Sequence, residues 1–266
     1  MLSRKHLAIP YALFLIAFIV CPLVLIVIYS FTTPDWGLTL RNYKVVFSID
    51  NINTLVNSVF VSLISTVICL LIGYPLAYLL ADRKVNKSKV LVYFFIMPMW
   101  INFVLRSNAT KELLQFMGLE ASSEFGMYAC VIIAMVYDYL PFVILPLYST
   151  MLKLDKTVIE ASRDLGAKPA QVFTKTIIPM TLPGIMSAAT MVFMPSMCCY
   201  VITDIFSNRK LQIMGNLINQ YFNAPQWNYG SAAAIVLLII LFVLMKVTNT
   251  EKKKSEKDSK AGGKAW

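Results

Sequence analysis

Histidine is almost missing from this chain of 266 residues: His6, ahead of the first apolar run, is the only one. No serine or cysteine nucleophile therefore has an imidazole to activate it. With no C-x-x-C pair either, a metal site of ordinary type is not expected. The five cysteines, Cys21, Cys69, Cys130, Cys198 and Cys199, all fall in apolar stretches. There cysteine packs as a small hydrophobe, and no disulfide framework is expected. No G-x-x-x-x-G-K-[ST] phosphate loop occurs, and Gly262 and Gly263 lie in the C-terminal tail, so the chain has no ordinary means of binding and hydrolysing ATP. Charge is scarce, at 14% of residues. No catalytic residue, cofactor or metal is expected.

Apolar length is abundant. Apolar residues make up 58% of the chain, against about 45–50% in soluble domains, and they come in blocks long enough to cross a bilayer. The pattern predicts an all-α polytopic membrane protein with six transmembrane helices: Ala8 to Phe31, Leu55 to Ala81, Val90 to Leu105, Met127 to Leu147, Ile177 to Thr203 and Ser231 to Val247. The third and sixth are short. With the N-terminus inside, 18 of the 24 basic residues fall on the cytoplasmic side, among them Arg83, Lys84, Lys87, Lys89 and the group from Lys153 to Lys175. The positive-inside rule then places both termini in the cytoplasm. The net charge of +10 becomes a topology signal, and nucleic acid is not an expected partner. Arg4, Lys5 and His6 imitate a secretory leader, but the run that follows is too long and no A-x-A site ends it, so an uncleaved first span is expected. Residues 1–250 read as one membrane domain without internal repeat. Residues 251–266, rich in lysine, read as a disordered cytoplasmic tail.

One sizeable polar stretch, Glu160 to Pro183, overlapping a cytoplasmic coupling region at 155–176, separates two apolar spans. Thr157 with Glu160 three residues later fits a capping box, and Gly166 suits the left-handed residue that ends a short helix. Pro169 suits the first turn of a second helix, and Pro179 and Pro183 would turn the chain back into the bilayer. This is the form of a surface element offered to a soluble partner. At their spacing, Glu160, Ala161, Gly166, Ile178 and Pro179 resemble the EAA motif of binding-protein-dependent ABC importer permeases, of the MetI-like superfamily. Ser162 stands for a usual alanine, Thr176 for a usual aliphatic residue and Ile178 for the usual leucine.

Further stretches are similar to the PotB-type permeases of spermidine/putrescine importers: NTLVNSVFVSLISTVICLLIGYPLAYLLA from Asn53, YDYLPFVILPLYSTMLKLD from Tyr137, and MGNLINQYF from Met214. The resemblance implies a transport subunit of a bacterial cytoplasmic membrane, paired with a second homologous permease. It further implies two copies of an ABC ATPase subunit bound to the cytoplasmic helices, and an extracytoplasmic polyamine-binding protein that delivers cargo. Thr157, Glu160, Ala161 and Gly166 would carry the mechanical coupling to the ATPase. The chain departs from the family after Pro195, where Met197, Cys198 and Cys199 replace a Gly-Glu-aromatic triplet. A different cargo (a ferric chelate, a thiamine-like cation, a phosphonate) and a non-transport membrane scaffold remain as rival readings.

Asp138 is the charged residue set deep inside an expected span, about 16 Å from its start at 1.5 Å per residue, in a hydrocarbon core about 30 Å thick. A carboxylate there needs water, a donor or a cation. Pro141 and Pro146 free the carbonyls of Tyr137 and Phe142, and Tyr137, Tyr139 and Trp100 could offer rings to an ammonium group. Tyr200 and Asp204 fall toward the outer end of the fifth span. These six residues form the expected substrate pathway. The rival role for Asp138 is a bond to a donor on a neighbouring helix that sets packing. Lysine and arginine are expected to be absent from every span interior, which disfavours an anion path.

Overall fold

The computed structural model describes residues 4–82, 86, 90–119 and 123–262. The basic loop residues Arg83, Lys84, Lys87 and Lys89 lie outside them. Helix α1 (Arg4–Leu15) passes through a π-helical turn, Ile16–Val20, into α2 (Cys21–Ser30). Helices α3 (Arg41–Val46) and α4 (Ile49–Ala81) follow, then α5 (Leu91–Ile96), a 3-10 turn (Met97–Trp100) and α6 (Phe103–Phe116). The remainder comprises α7 (Glu124–Met151), α8 (Lys156–Asp164), α9 (Pro169–Val172), a second π turn (Phe173–Ile177), α10 (Ile178–Cys198), α11 (Tyr200–Ser207), α12 (Met214–Asn223) and α13 (Trp227–Gly262). Apart from an isolated bridge between Thr32 and Leu38, the described residues hold no β-structure.

Among the described residues, five segments are long and apolar enough to cross a membrane: Pro10–Ser30, Ile49–Ala81, Glu124–Met151, Pro169–Cys198 and Trp227–Lys246. The third expected span, Val90 to Leu105, is broken instead. Pro98 sits in the tight turn, Ile101 is extended at ψ 141°, and the Asn102 side chain restarts the helix by accepting from the N–H groups of Val104 and Leu105. The fifth expected span, Ile177 to Thr203, also differs at both ends. Its helix breaks at Cys199 (φ −79°, ψ 75°), shortly after Pro195 has removed one backbone donor. It begins at Pro169, since Pro179 and Pro183 do not turn the chain. The Ile178 N–H bonds the Phe173 carbonyl five residues back, and this widened turn carries the helix past Pro179. At the C-terminus the lysine-rich segment expected to be disordered continues α13 as far as Gly262. Its lysines, glutamates and alanine are good helix formers attached to a helix already nucleated. Residues 263–266 lie outside the described residues.

The core is the trio α4, α7 and α10. Helix α4 presents buried Ser58, Ser62, Ser65, Cys69, Gly73 and Ala77 at helical spacing, small residues that admit close helix approach. A Cβ at Gly73 would strike Val143 on α7, and one at Gly184 would strike Thr150. Helix α2 docks on α13. There the Asn228 amide donates to the carbonyls of Tyr29 (3.1 Å) and Thr32 (2.6 Å), and the Asn42 amide donates to Ser30 and Thr32 (both 2.9 Å). These side chains satisfy carbonyls that the end of α2 leaves free.

Candidate functional site

Helix α7 starts where the Ser123 hydroxyl accepts from the Gly126 N–H at 3.0 Å, and it runs unbroken past Pro141 and Pro146 to Met151. That length carries Asp138 into the bundle, where it is 2% exposed. The break in the third segment brings its partners. Because α6 restarts at Phe103, Arg106 and Ser107 lie beside the middle of α7. Arg106 Nε stands 2.6 Å from Asp138 Oδ1, and the Ser107 hydroxyl donates to Oδ2 at 3.2 Å. The Nε–H is not aimed along the short contact, so charge rather than hydrogen-bond geometry holds this pair. Arg106 Nη1 donates to the Pro98 carbonyl at 2.7 Å, and the guanidinium carbon lies 5.6 Å from the centre of the Tyr137 ring. One cation thus ties a carboxylate, a ring face and the carbonyl of the broken turn.

Arg106 overturns the expectation that no lysine or arginine enters a span interior, since it is only 9% exposed. The expected third span ends at Leu105, one residue before it. With a buried guanidinium beside Asp138, the span interiors no longer disfavour an anionic cargo. The available signals were Pro98 and Asn102, a proline and a helix-starting side chain inside the apolar run, with an arginine directly after.

The other expected pathway residues are not all gathered here. Tyr137 is 44% exposed beside Arg106, whereas Tyr139 is buried against Phe142 and faces Cys199. Trp100, on the tight turn, is 82% exposed and points away from the bundle core. Tyr200 and Asp204 belong to a second cluster around Asn216. The Asn216 amide donates to Asp204 Oδ1 (2.6 Å) and to the Tyr200 carbonyl (3.4 Å), while its oxygen accepts from Thr203 Oγ1 (2.8 Å) and the Ile213 N–H (3.1 Å). Asp204 is therefore engaged rather than a free negative mouth.

The polar helix pair is built differently from the core. Asp155, not Thr157, caps α8: its carboxylate accepts from the Thr157 N–H (2.9 Å) and hydroxyl (2.8 Å). The capping box expected of Thr157 with Glu160 is thus replaced, because aspartate two residues earlier reaches the same free donors. Those two bonds hold the Asp155 carboxyl below its usual range. Helix α8 ends in a Schellman motif. The Ala167 N–H bonds the Ser162 carbonyl (3.2 Å), the Gly166 N–H bonds that of Arg163 (2.9 Å), and Gly166 is left-handed at φ 81° with open space around it. Glu160 and Ala161 are exposed, and Leu165 is 88% exposed. The Ser162 and Thr176 hydroxyls lie 3.2 Å apart in a hydrogen bond between α8 and the π turn.

Residues 73–250 match the family of the binding-protein-dependent transport system inner membrane component. The chain is 34% identical over 240 residues to the spermidine/putrescine transport system permease protein PotB of Haemophilus influenzae, covering 83% of this chain and 84% of that protein. It is 34% identical over 243 residues to PotB of Escherichia coli, covering 83% and 87%. Among solved structures it resembles a bacterial ABC transporter involved in the import of the acidic polysaccharide alginate, at 14% identity and a TM-score of 0.74, covering 94% of each chain. It also resembles the inward-facing MetNI methionine ABC transporter, at 18% identity and a TM-score of 0.58, covering 79% of this chain and 99% of that one. At these identities the two structures speak to the fold alone.

Proposed function

The chain belongs to the binding-protein-dependent transport system inner membrane components, and from that premise we propose that it is a permease subunit of an ATP-driven importer of polyamines. The similarity to the spermidine/putrescine permeases along most of the chain carries this reading. The protein lies in a bacterial cytoplasmic membrane with both termini in the cytoplasm, the broken α5–α6 segment completing a set of six membrane crossings. It forms half of a translocation pathway with a second homologous permease. Two ABC ATPase subunits supply the hydrolysis that this chain does not perform, and an extracytoplasmic polyamine-binding protein supplies cargo.

The exposed unit α8–Gly166–α9 fits the role of the coupling element. It offers a soluble partner Glu160, Ala161 and the uncovered Leu165; α9 is continuous through the π turn with α10, and the Ser162–Thr176 hydrogen bond ties α8 to that turn across the Gly166 bend, so a push at α8 can reach a core helix. Thr157 serves the start of that unit and Gly166 its bend. Asp138, Tyr137, Tyr139, Trp100, Tyr200 and Asp204 lie along the pathway side of this reading.

The test is spermidine-stimulated ATP hydrolysis by the chain reconstituted with the ATPase, second permease and binding protein encoded beside it, compared with a Gly166→Val variant. Valine is strained at φ 81°, so stimulation should fall at least tenfold while the four proteins still co-purify. Hydrolysis that ignores polyamines would make the cargo wrong, and failure of any ATPase to co-purify would end the importer reading.

A further inference from the structure

A cation entering this bundle in search of acceptors would find them taken. The Asp138 carboxylate and the Tyr137 ring are the two groups near mid-span that an ammonium group would seek, and both are engaged by the Arg106 guanidinium, at 2.6 Å from Oδ1 and 5.6 Å from the ring centre. Asp138 and Arg106 are 2% and 9% exposed, which leaves no room for a third charged group unless the guanidinium withdraws. The same guanidinium holds the Pro98 carbonyl at 2.7 Å, across the break from its own helix.

We propose that Arg106 is a built-in stand-in for the cargo amine. A polyamine ammonium replaces it on Asp138 and Tyr137, and in leaving, the guanidinium releases the Pro98 carbonyl and the turn that bears Trp100. This rests on the polyamine reading above. Replacement is favoured over addition on charge grounds. With one polyamine ammonium in the place of the guanidinium, and the guanidinium swung out past the exposed side of Tyr137, the carboxylate still faces a single cation, whereas adding an ammonium beside the intact pair would place two like charges in a region of low dielectric. The exchange also explains how cargo could be sensed by backbone. Before it, the Pro98 carbonyl has a charged donor; after it, that carbonyl keeps the Ile101 N–H, at 3.3 Å, and the turn can open. Arg106 is on this account a positioning residue for the turn and a competitor for the cargo. A competitor that occupies the site reduces apparent affinity by the fraction of time it is absent.

The experiment follows hydrogen–deuterium exchange of backbone segment 97–105 in the complete reconstituted transporter, with and without saturating spermidine, alongside spermidine-stimulated ATP hydrolysis. Spermidine should speed exchange of this segment several-fold in the unaltered chain. In an Arg106→Gln variant, exchange should be fast without spermidine, and the KM for stimulation should fall several-fold because the rival cation is gone. If spermidine stimulates hydrolysis but leaves the segment's exchange unchanged, the replacement idea is overturned and the cargo reading stands. Fast exchange in the variant with KM unchanged or raised would reduce Arg106 to a brace, which also overturns the proposal. Absence of any stimulation overturns both. Should the variant not assemble, the comparison in the unaltered chain decides alone.

Discussion

The broken turn at Met97–Asn102 and the break at Cys199 pose the same physical problem and meet it with different chemistry. Each interrupts a helix inside an apolar bundle, and each leaves carbonyls that no lipid can satisfy. At the first, a long cationic side chain reaches eight residues back to the Pro98 carbonyl while paired with Asp138. At the second, Asn216 bonds the Tyr200 carbonyl, the Thr203 hydroxyl shares its one proton between that carbonyl and the Asn216 oxygen, and Gly215 presses on the Cys198 carbonyl so closely that a Cβ there would overlap it. The first closure can be undone by a competing cation, because its anchor is a charge pair. The second has no charge to exchange with a ligand on the backbone it holds, and its closest contact is backbone on backbone. One break is built to be releasable and the other to stay shut.

The sharpest way to test that contrast is to fill the contact at the second break. Gly215→Val would drive a side chain into the Cys198 carbonyl, and neither backbone can yield without moving α12 or α10. Little or no folded chain should be recovered from membranes, as read by size-exclusion profile and thermal unfolding. A well-behaved variant would show that this break has slack, and the comparison would collapse.

The first break predicts a large effect that can be reversed. Asp138→Leu leaves the buried Arg106 cation without its partner, a loss of about 3–5 kcal/mol of stability where such pairs have been broken. Asp138→Leu with Arg106→Met removes both charges and should recover most of that stability, while leaving transport of cations impaired. Thermal unfolding of the two variants measures this directly. If the double variant is no more stable than the single one, the pair is not what closes the turn.

Much of this was readable from residue pattern alone, for identifiable reasons. Apolar runs and the spacing of Glu160, Gly166 and Pro179 depend on local chemistry, and the left-handed Gly166 and Pro169 at a helix start follow from it. Asp138 was legible as a carboxylate in need of a partner. Its partner was not, because Arg106 ends an apolar run and hydropathy assigns such a residue to an outer loop; only the break at Pro98–Asn102 moves it beside α7. The cap of α8 falls on Asp155 and not on Thr157 for a similar reason: both are capping types, and the backbone geometry brings the carboxylate onto the free donors. Ser162 and Thr176, each a departure from the motif when taken singly, meet in space as a bonded pair. A single sequence cannot display that pairing, as the two are separated by a glycine bend and a widened turn.

The smallest effect expected of the comparison concerns Asn216. Replacing it by alanine removes two acceptor contacts and two donor contacts around Tyr200, Thr203, Asp204 and Ile213. The Thr203 hydroxyl keeps its bond to the Tyr200 carbonyl at 2.8 Å, and half-buried Asp204 can turn toward solvent, so the Ile213 N–H is the main group left unpaired. One buried unsatisfied donor costs about 1–3 kcal/mol, below the loss expected for Asp138→Leu. No apolar replacement elsewhere can recover this loss, because the orphaned group is backbone and stays polar whatever side chain surrounds it. The releasable break should therefore be rescued by removing its second charge, and the shut one should have no second-site rescue. Thermal unfolding of Asn216→Ala with and without Asp204→Leu is the measurement: full recovery in the double variant would mean that this break, too, is governed by charge.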